Sequence, residues 1–251
     1  NSREVYIKLR LNNSVKYFFE YVFVISLFYF LRFLNIKISS FLCGTILWVF
    51  GKLSKKNNIA IKNINLVFPN YSETEKKKII SQMWFNFGRV IGEYPHLHKI
   101  KIKKCTFVKL EGHKKCINIC EKNKNILFFS AHIGNWELTS HPMTQFGEKI
   151  WFIYRAPNNP FVDNLLRRIR EKYGVKLIKK GPAGAKTCIS ILKKNHGNIG
   201  MLIDQKMNDG VKTNFFGNKA MTASAIAKFA LKYKCPIIPA VCIRKKGVEF
   251  T

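Results

Sequence analysis

Acidic residues are scarce in this chain. Only 14 Asp and Glu stand against 44 Lys and Arg in 251 residues, a formal charge of +30. Such a field draws anionic partners: nucleic acid, anionic lipid headgroups or an acidic carrier protein. Lysine is scattered rather than gathered in one block, so part of the excess is a general bias toward Lys, Asn and Ile. No recognisable nucleic-acid motif accompanies the charge, and nucleic acid is not an expected partner. No CxxC pair occurs, and the seven cysteines (Cys43, Cys105, Cys116, Cys120, Cys188, Cys235 and Cys242) are odd in number. His113 near Cys116 and Cys120 does not complete a zinc set, so small idle thiols in a reducing compartment are expected, with no metal. No uncharged apolar run reaches the ~20 residues of a spanning helix. No small-residue cleavage site follows the N-terminal apolar segment, which argues against a removed signal peptide. Internal repeats and low-complexity linkers are also missing.

Aromatic residues, by contrast, are plentiful at 14%, with 21 Phe crowded near the N-terminus and around 126–161. Tyr21 to Leu31 and Ile38 to Phe50 are uncharged apolar runs. If Glu20 and Arg32 snorkel, Tyr17 to Leu34 just reaches across a bilayer. Three readings fit: one marginal span, two helices lying in the membrane interface, or buried core helices. Lys52, Lys55, Lys56 and Lys62 follow, which predicts that the rest of the chain is cytoplasmic. Near an anionic leaflet each such charge is worth about 1 kcal/mol. The expected organisation is a membrane-associating segment over 1–56 and a second domain over 57–251. The chain starts at Asn1 and stops at Thr251 inside a predicted strand, and both ends are expected to be incomplete.

Ser72 with Glu75 forms a capping box opening a helix, along which Ile79, Ile80, Met83, Phe87, Val90 and Ile91 recur at helical spacing. Pro95 is expected to end it. Beyond Lys124 the pattern alternates. Strands are predicted at 126–131, 150–154, 175–178, 199–203 and 236–243, with helices from about Gly134, over 160–173, 184–194 and 222–233. Pro142 is expected to kink or end the first of these. The fold class is α/β: a largely parallel sheet flanked by helices, preceded by an apolar helical segment.

The most informative stretch is SAHIGNWEL. A strand ends near His132 and a helix begins shortly after, and sites in open α/β sheets gather at the carboxyl ends of strands. On one continuous helix His132 and Glu137 would lie about 140° apart. With His132 in a loop and Glu137 in the first helical turn, the carboxylate is expected to meet the imidazole and fix its tautomer. The other nitrogen is then free to take a proton from a hydroxyl. Gly134 and Asn135 allow close approach of another molecule.

HIGNWE resembles the H-x4-[DE] signature of the glycerolipid and lipid A acyltransferase superfamily. Residues 154–170 (YRAPNNPFVDNLLRRIR), 197–205 (GNIGMLIDQ), 210–230 and 235–240 (CPIIPA) resemble, in order, blocks of the lipid A secondary acyltransferases. NINLVFPN and MWFNFGRVIGEYPHL upstream also fit, so the resemblance covers roughly 57–245. Glycerol-phosphate acyltransferases typically carry Arg after the Asp of the I-D block and an E-G-T-R element later. Here Gln205 follows Asp204 and the later element is FFGNK, which favours the lauroyl or myristoyl branch. The resemblance implies an acyl thioester donor, usually acyl carrier protein, and as acceptor a hydroxyacyl chain on a lipid A precursor. It implies His132 as base with Glu137 as its partner, no cofactor, and work at the cytoplasmic face of the bacterial inner membrane. Donor and acceptor are both acidic, which suits the charge.

Arg155 at a strand end is a candidate for phosphate or carrier binding, and Lys180, beside Lys179, for phosphate. Asp204, at another strand end, either orients a base or caps a loop. Thr222 and Ser224 are read as helix caps, and Phe215 and Phe216 as core or acyl-groove residues. Two alternatives remain: the same chemistry on a lysophospholipid or other glycolipid, and a non-catalytic basic membrane protein.

Overall fold

The computed structural model describes residues 2–102 and 107–251, with side chains from residue 13 onward; Cys105 lies outside the described residues. The chain opens with α1 (Ser2–Phe33), α2 (Ile36–Phe50), α3 (Lys55–Val67) and α4 (Glu73–Glu93). After a 3-10 turn at 94–99 come α5 (His113–Lys122), β1 (Leu127–Ser130), a 3-10 turn at 136–140 and α6 (His141–Gln145). There follow β2 (Ile150–Tyr154), α7 (Pro160–Lys172), β3 (Lys176–Lys179), α8 (Pro182–Lys194) and β4 (Asn198–Leu202). A hairpin, β5 (Val211–Phe215) and β6 (Asn218–Thr222), precedes α9 (Ala225–Tyr233) and β7 (Ile237–Pro239).

Five strands form one parallel sheet in the order β3-β2-β4-β1-β7. Parallel sheets need cover on both faces, and successive residues of β1 show it. Leu127 packs with Ile191, Leu192 and Ile226 from α8 and α9. Ile126 and Phe128 pack with Met143 and Ile150 on the other face. Cys116 and Cys120 border that second cluster; burial first, then each other's proximity, pushes the Cys120 thiol up to about 12. All the cysteines described are free.

The capping box at Ser72 and Glu75 is present in both directions, with the Ser72 backbone N–H donating to the Glu75 carboxylate at 2.8 Å. Pro142 does not end a helix. It occupies the first turn of α6, where a missing N–H costs nothing. The β5–β6 hairpin, α5 and α3 are elements for which the sequence pattern gives no expectation.

Two apolar windows, Asn13–Phe33 and Ile36–Leu53, are long and apolar enough to cross a membrane. Only 6% of the first is buried, so the reading of α1 as a core helix fails. The second packs along α4 at close range. A Cβ at Gly88 would come within 2.1 Å of the Cys43 carbonyl oxygen, and one at Gly92 within 2.2 Å of that of Ser39. Small residues on both helices let the backbones touch.

Candidate active site

The register of the sheet brings the site together. β1 and β4 are neighbours with Ser130 opposite Leu202. Two residues further on, His132 and Asp204 leave the sheet side by side. The His132 backbone N–H donates to one Asp204 carboxylate oxygen at 2.8 Å, and its Nδ1 to the other at 2.8 Å. Burial raises the Asp204 pKa, but the two hydrogen bonds and the charge of His132 outweigh it, and the carboxyl sits below its ordinary value. An ionised carboxylate only accepts, so Nδ1 carries the proton and Nε2 of the neutral ring keeps its lone pair. Nε2 has no hydrogen-bond partner among the described residues. The ring meets Trp136 edge-on at 5.0 Å, and Trp136 stacks on Phe87 at 6.2 Å.

The expected contact between His132 and Glu137 is not made. Asn135 caps the 136–140 turn through the Glu137 N–H, and this turn carries Glu137 away from the loop. There Arg170 of α7 grips the carboxylate with both arms, Nη2 to Oε1 at 2.6 Å and Nε to Oε2 at 2.9 Å. Tyr173 adds a hydroxyl at 3.4 Å, while Tyr94 and Tyr154 lie under the guanidinium at 5.6 and 5.9 Å. Burial would lower the Arg170 pKa, and its hydrogen bonds to the Glu137 carboxylate more than reverse this. Burial also pushes the Tyr94 and Tyr173 hydroxyls well up. No hydrogen bond joins His132 to Glu137 among the described residues.

The loop between the two pairs is fastened from below. Gly134 has φ +56°, and a Cβ there would stand 2.0 Å from the Cys242 carbonyl oxygen, so only glycine fits. Its carbonyl accepts from Asn86. Fully buried Asn135 donates to fully buried Glu93 at 2.7 Å. Arg244 binds both oxygens of Glu93 and also reaches Asn86. Ser40 of α2 donates to Glu93 at 2.6 Å and accepts from Arg89. This network ties the loop to α4, to α2 and to the 244–250 segment. Glu93 and Arg244 had no sequence signal, because their partners lie far along the chain.

Arg155 and Lys180 emerge one residue beyond the paired Tyr154 and Lys179, at adjacent strand ends. Both are exposed, with no side-chain hydrogen bond or ion pair among the described residues. Lys179 is held by Asp163 at 2.7 Å. Thr222 bonds Thr213 across the hairpin at 2.7 Å, and Ser224 makes no side-chain cap. Phe215 and Phe216 are exposed rather than core. Beside the Glu137–Arg170 pair lies a small cleft with apolar walls from Trp136, Phe152, Ile153, Leu177 and Leu202. Phe152 fits because its β4 partner is Gly200, where a Cβ would meet the ring at 2.6 Å.

An open parallel sheet with a His–carboxylate pair at its carboxyl edge is an α/β scaffold whose geometry could serve a general base. The family follows from comparison. Residues 9–251 match the model of the bacterial lipid A biosynthesis acyltransferases, and the chain belongs to that family. A lipid A biosynthesis acyltransferase of Haemophilus influenzae is 26% identical over 220 residues, covering 83% of this chain and 66% of that protein. Lipid A biosynthesis acyltransferase 2 of Shigella flexneri is 28% identical over 134 residues, covering 52% of this chain and 42% of that protein. The match thus spans just under two thirds of one relative and less than half of the other.

Proposed function

We propose that this protein moves a fatty acyl chain from an acyl thioester, carried by acyl carrier protein, to a hydroxyl of a lipid A precursor. The observation that carries the reading is the His132–Asp204 pair, with Nε2 unoccupied, at the strand ends of a lipid A acyltransferase family member. His132 Nε2 takes the proton of the acceptor hydroxyl as its oxygen attacks the thioester carbonyl. Asp204 holds the tautomer and stabilises the imidazolium, which returns the proton to the departing thiolate. Glu137 acts through Arg170, as a support for the loop and the wall of the cleft. The apolar walls of the cleft offer contact for part of an acyl chain. Arg155 and Lys180 supply cations at the same edge of the sheet for phosphate of the acceptor or the carrier. The apolar α1 and α2 hold the enzyme on the cytoplasmic face of the inner membrane.

The test combines mass spectrometry of lipid A from cells with and without the gene and an assay of the purified protein with both thioester donors. The expected result is loss of one acyl chain from lipid A, and a preference for acyl carrier protein over acyl-CoA that weakens as salt rises. Unchanged lipid A with an altered phospholipid profile would move the acceptor to a lysophospholipid. Preference for acyl-CoA at every salt concentration would reject the carrier.

A further inference from the structure

We propose that α3 and the tip of the β5–β6 hairpin form a second membrane contact, an interfacial platform for an anionic bilayer, separate from α1 and α2. The inference rests on the membrane association proposed above and extends it to parts of the chain outside the apolar segment.

The apolar window of α2 ends at Leu53, and α3 begins two residues later. A helix that starts where a membrane-associating segment stops begins at the level of the headgroups. α3 has no buried residue along its length, and Ile59 and Leu66 are more than half exposed at 52% and 58%. Lys55, Lys56 and Lys62 lie on the same helix, and no acidic residue occurs between Gly51 and Ser72. An exposed helix carrying apolar and basic residues without acids matches an anionic interface.

The hairpin tip adds an aromatic wedge at the far end of that helix. Phe216 packs on Phe68 at 5.7 Å and on Phe215 at 4.7 Å, and Asn218 donates to the Leu66 carbonyl. Phe215 and Phe216 are nevertheless 59% exposed each. Phe216 has φ +48° and Gly217 +75°, the arrangement of a two-residue turn whose first position favours Asn or Asp. A bulky residue held there is strained. The turn accepts that strain and gains an aromatic ring at its tip. Lys212 and Lys219 flank it. Rings at the tip with lysines behind them suit the boundary between acyl chains and headgroups.

The test places the photo-crosslinker p-benzoylphenylalanine at Phe216, at Phe23 of α1 or at Leu231 of α9 in the full chain. Each protein is bound to vesicles of phosphatidylethanolamine and phosphatidylglycerol, and adducts are identified by mass spectrometry. Lipid adducts are expected at 216 and 23, with few at Leu231, which is exposed but lies outside the platform. The double variant Phe215→Ser, Phe216→Ser should lower vesicle partitioning several-fold without lowering Tm. Adducts at 23 but not at 216 would overturn the platform and leave the α1 anchor. Absence at both sites would overturn membrane association itself. Equal yields at 216 and 231, or protein adducts in place of lipid at 216, would also overturn it.

Discussion

Asp204 and Glu137 each hold a single basic partner near the edge of the same sheet, in opposite surroundings. Around Asp204 the pair is open: the His132 and Asp204 side chains are 31% and 35% exposed. Around Glu137 it is shut: Glu137 and Arg170 are 10% and 18% exposed, ringed by tyrosines. An open pair can trade a proton with a molecule that arrives and leaves. A shut pair joined by two short hydrogen bonds has nothing to trade with, and its value lies in fixing α7 against the 136–140 turn. The acid written into the H-x4-E motif is thus bound to Arg170, and the carboxylate that meets His132 comes from elsewhere in the chain.

The largest expected effect separates the pairs by chemistry. His132→Ala should lower kcat by about 10²–10⁴ with Tm near that of the parent. Asp204→Asn should come close to it, because an amide can donate to Nδ1 and select the wrong tautomer. The double variant should be little worse, since the two act as a unit. Steady-state kinetics on folded protein checks this, and a parent-like rate for Asp204→Asn would remove Asp204 from the mechanism.

Next in size is a stability effect at the shut pair. Glu137→Gln strands the Arg170 guanidinium in a buried site, at a cost of about 3–5 kcal/mol. Adding Arg170→Met should recover part of that loss. Denaturant unfolding of the single and double variants reads both. A Glu137→Gln protein with parent stability and no activity would return Glu137 to the chemistry and erase the contrast between the two pairs.

The smallest effect is graded acid sensitivity. Burial lowers the pKa values of His96, His98 and His141 from the ordinary 6.5, so folding favours their neutral forms. The stability they contribute is complete above about pH 6.5 and is lost as pH falls through the lower folded values, since the unfolded chain binds protons first. Asp204 is lowered from 3.8, and its contribution persists until more acidic pH. His141 packs on Tyr173 at 4.5 Å, on the shut side of the site. Acid should therefore loosen the shut region before it discharges the open one. Tm measured against pH should decline below about 6.5, and less steeply in His141→Gln.

Much of this could be read in the sequence, for local reasons. The strand at 150–154, the capping box at Ser72, the helix that opens at Pro160 and the α/β alternation depend on neighbours within a few residues. His132 was legible because its strand, its loop and its motif lie together. What escaped depended on distance along the chain. Asp204 could be placed at a strand end, but its role turned on whether β4 lay beside β1, and their contact joins residues 72 apart. Glu93 and Arg244 are separated by 151 positions. The hairpin escaped for another reason: Phe216-Gly217 lacks the Asn-Gly or Asp-Gly signal, and β5 and β6 are mostly polar. α3 escaped because its apolar and basic residues bury no face.

The adjacency of Ser130 and Leu202 has a consequence for how the sequence can drift. Between β1 and β4 the chain passes through helices, loops and two more strands of the sheet, and its linkers can lengthen or shorten while the histidine and the aspartate keep their positions. A residue gained or lost inside either strand is different. It slides one side chain by about 3.3 Å and turns it to the opposite face, which parts the pair in a single step. The spacing of the pair is stored in the hydrogen-bond ladder, and the length of the intervening chain carries none of it.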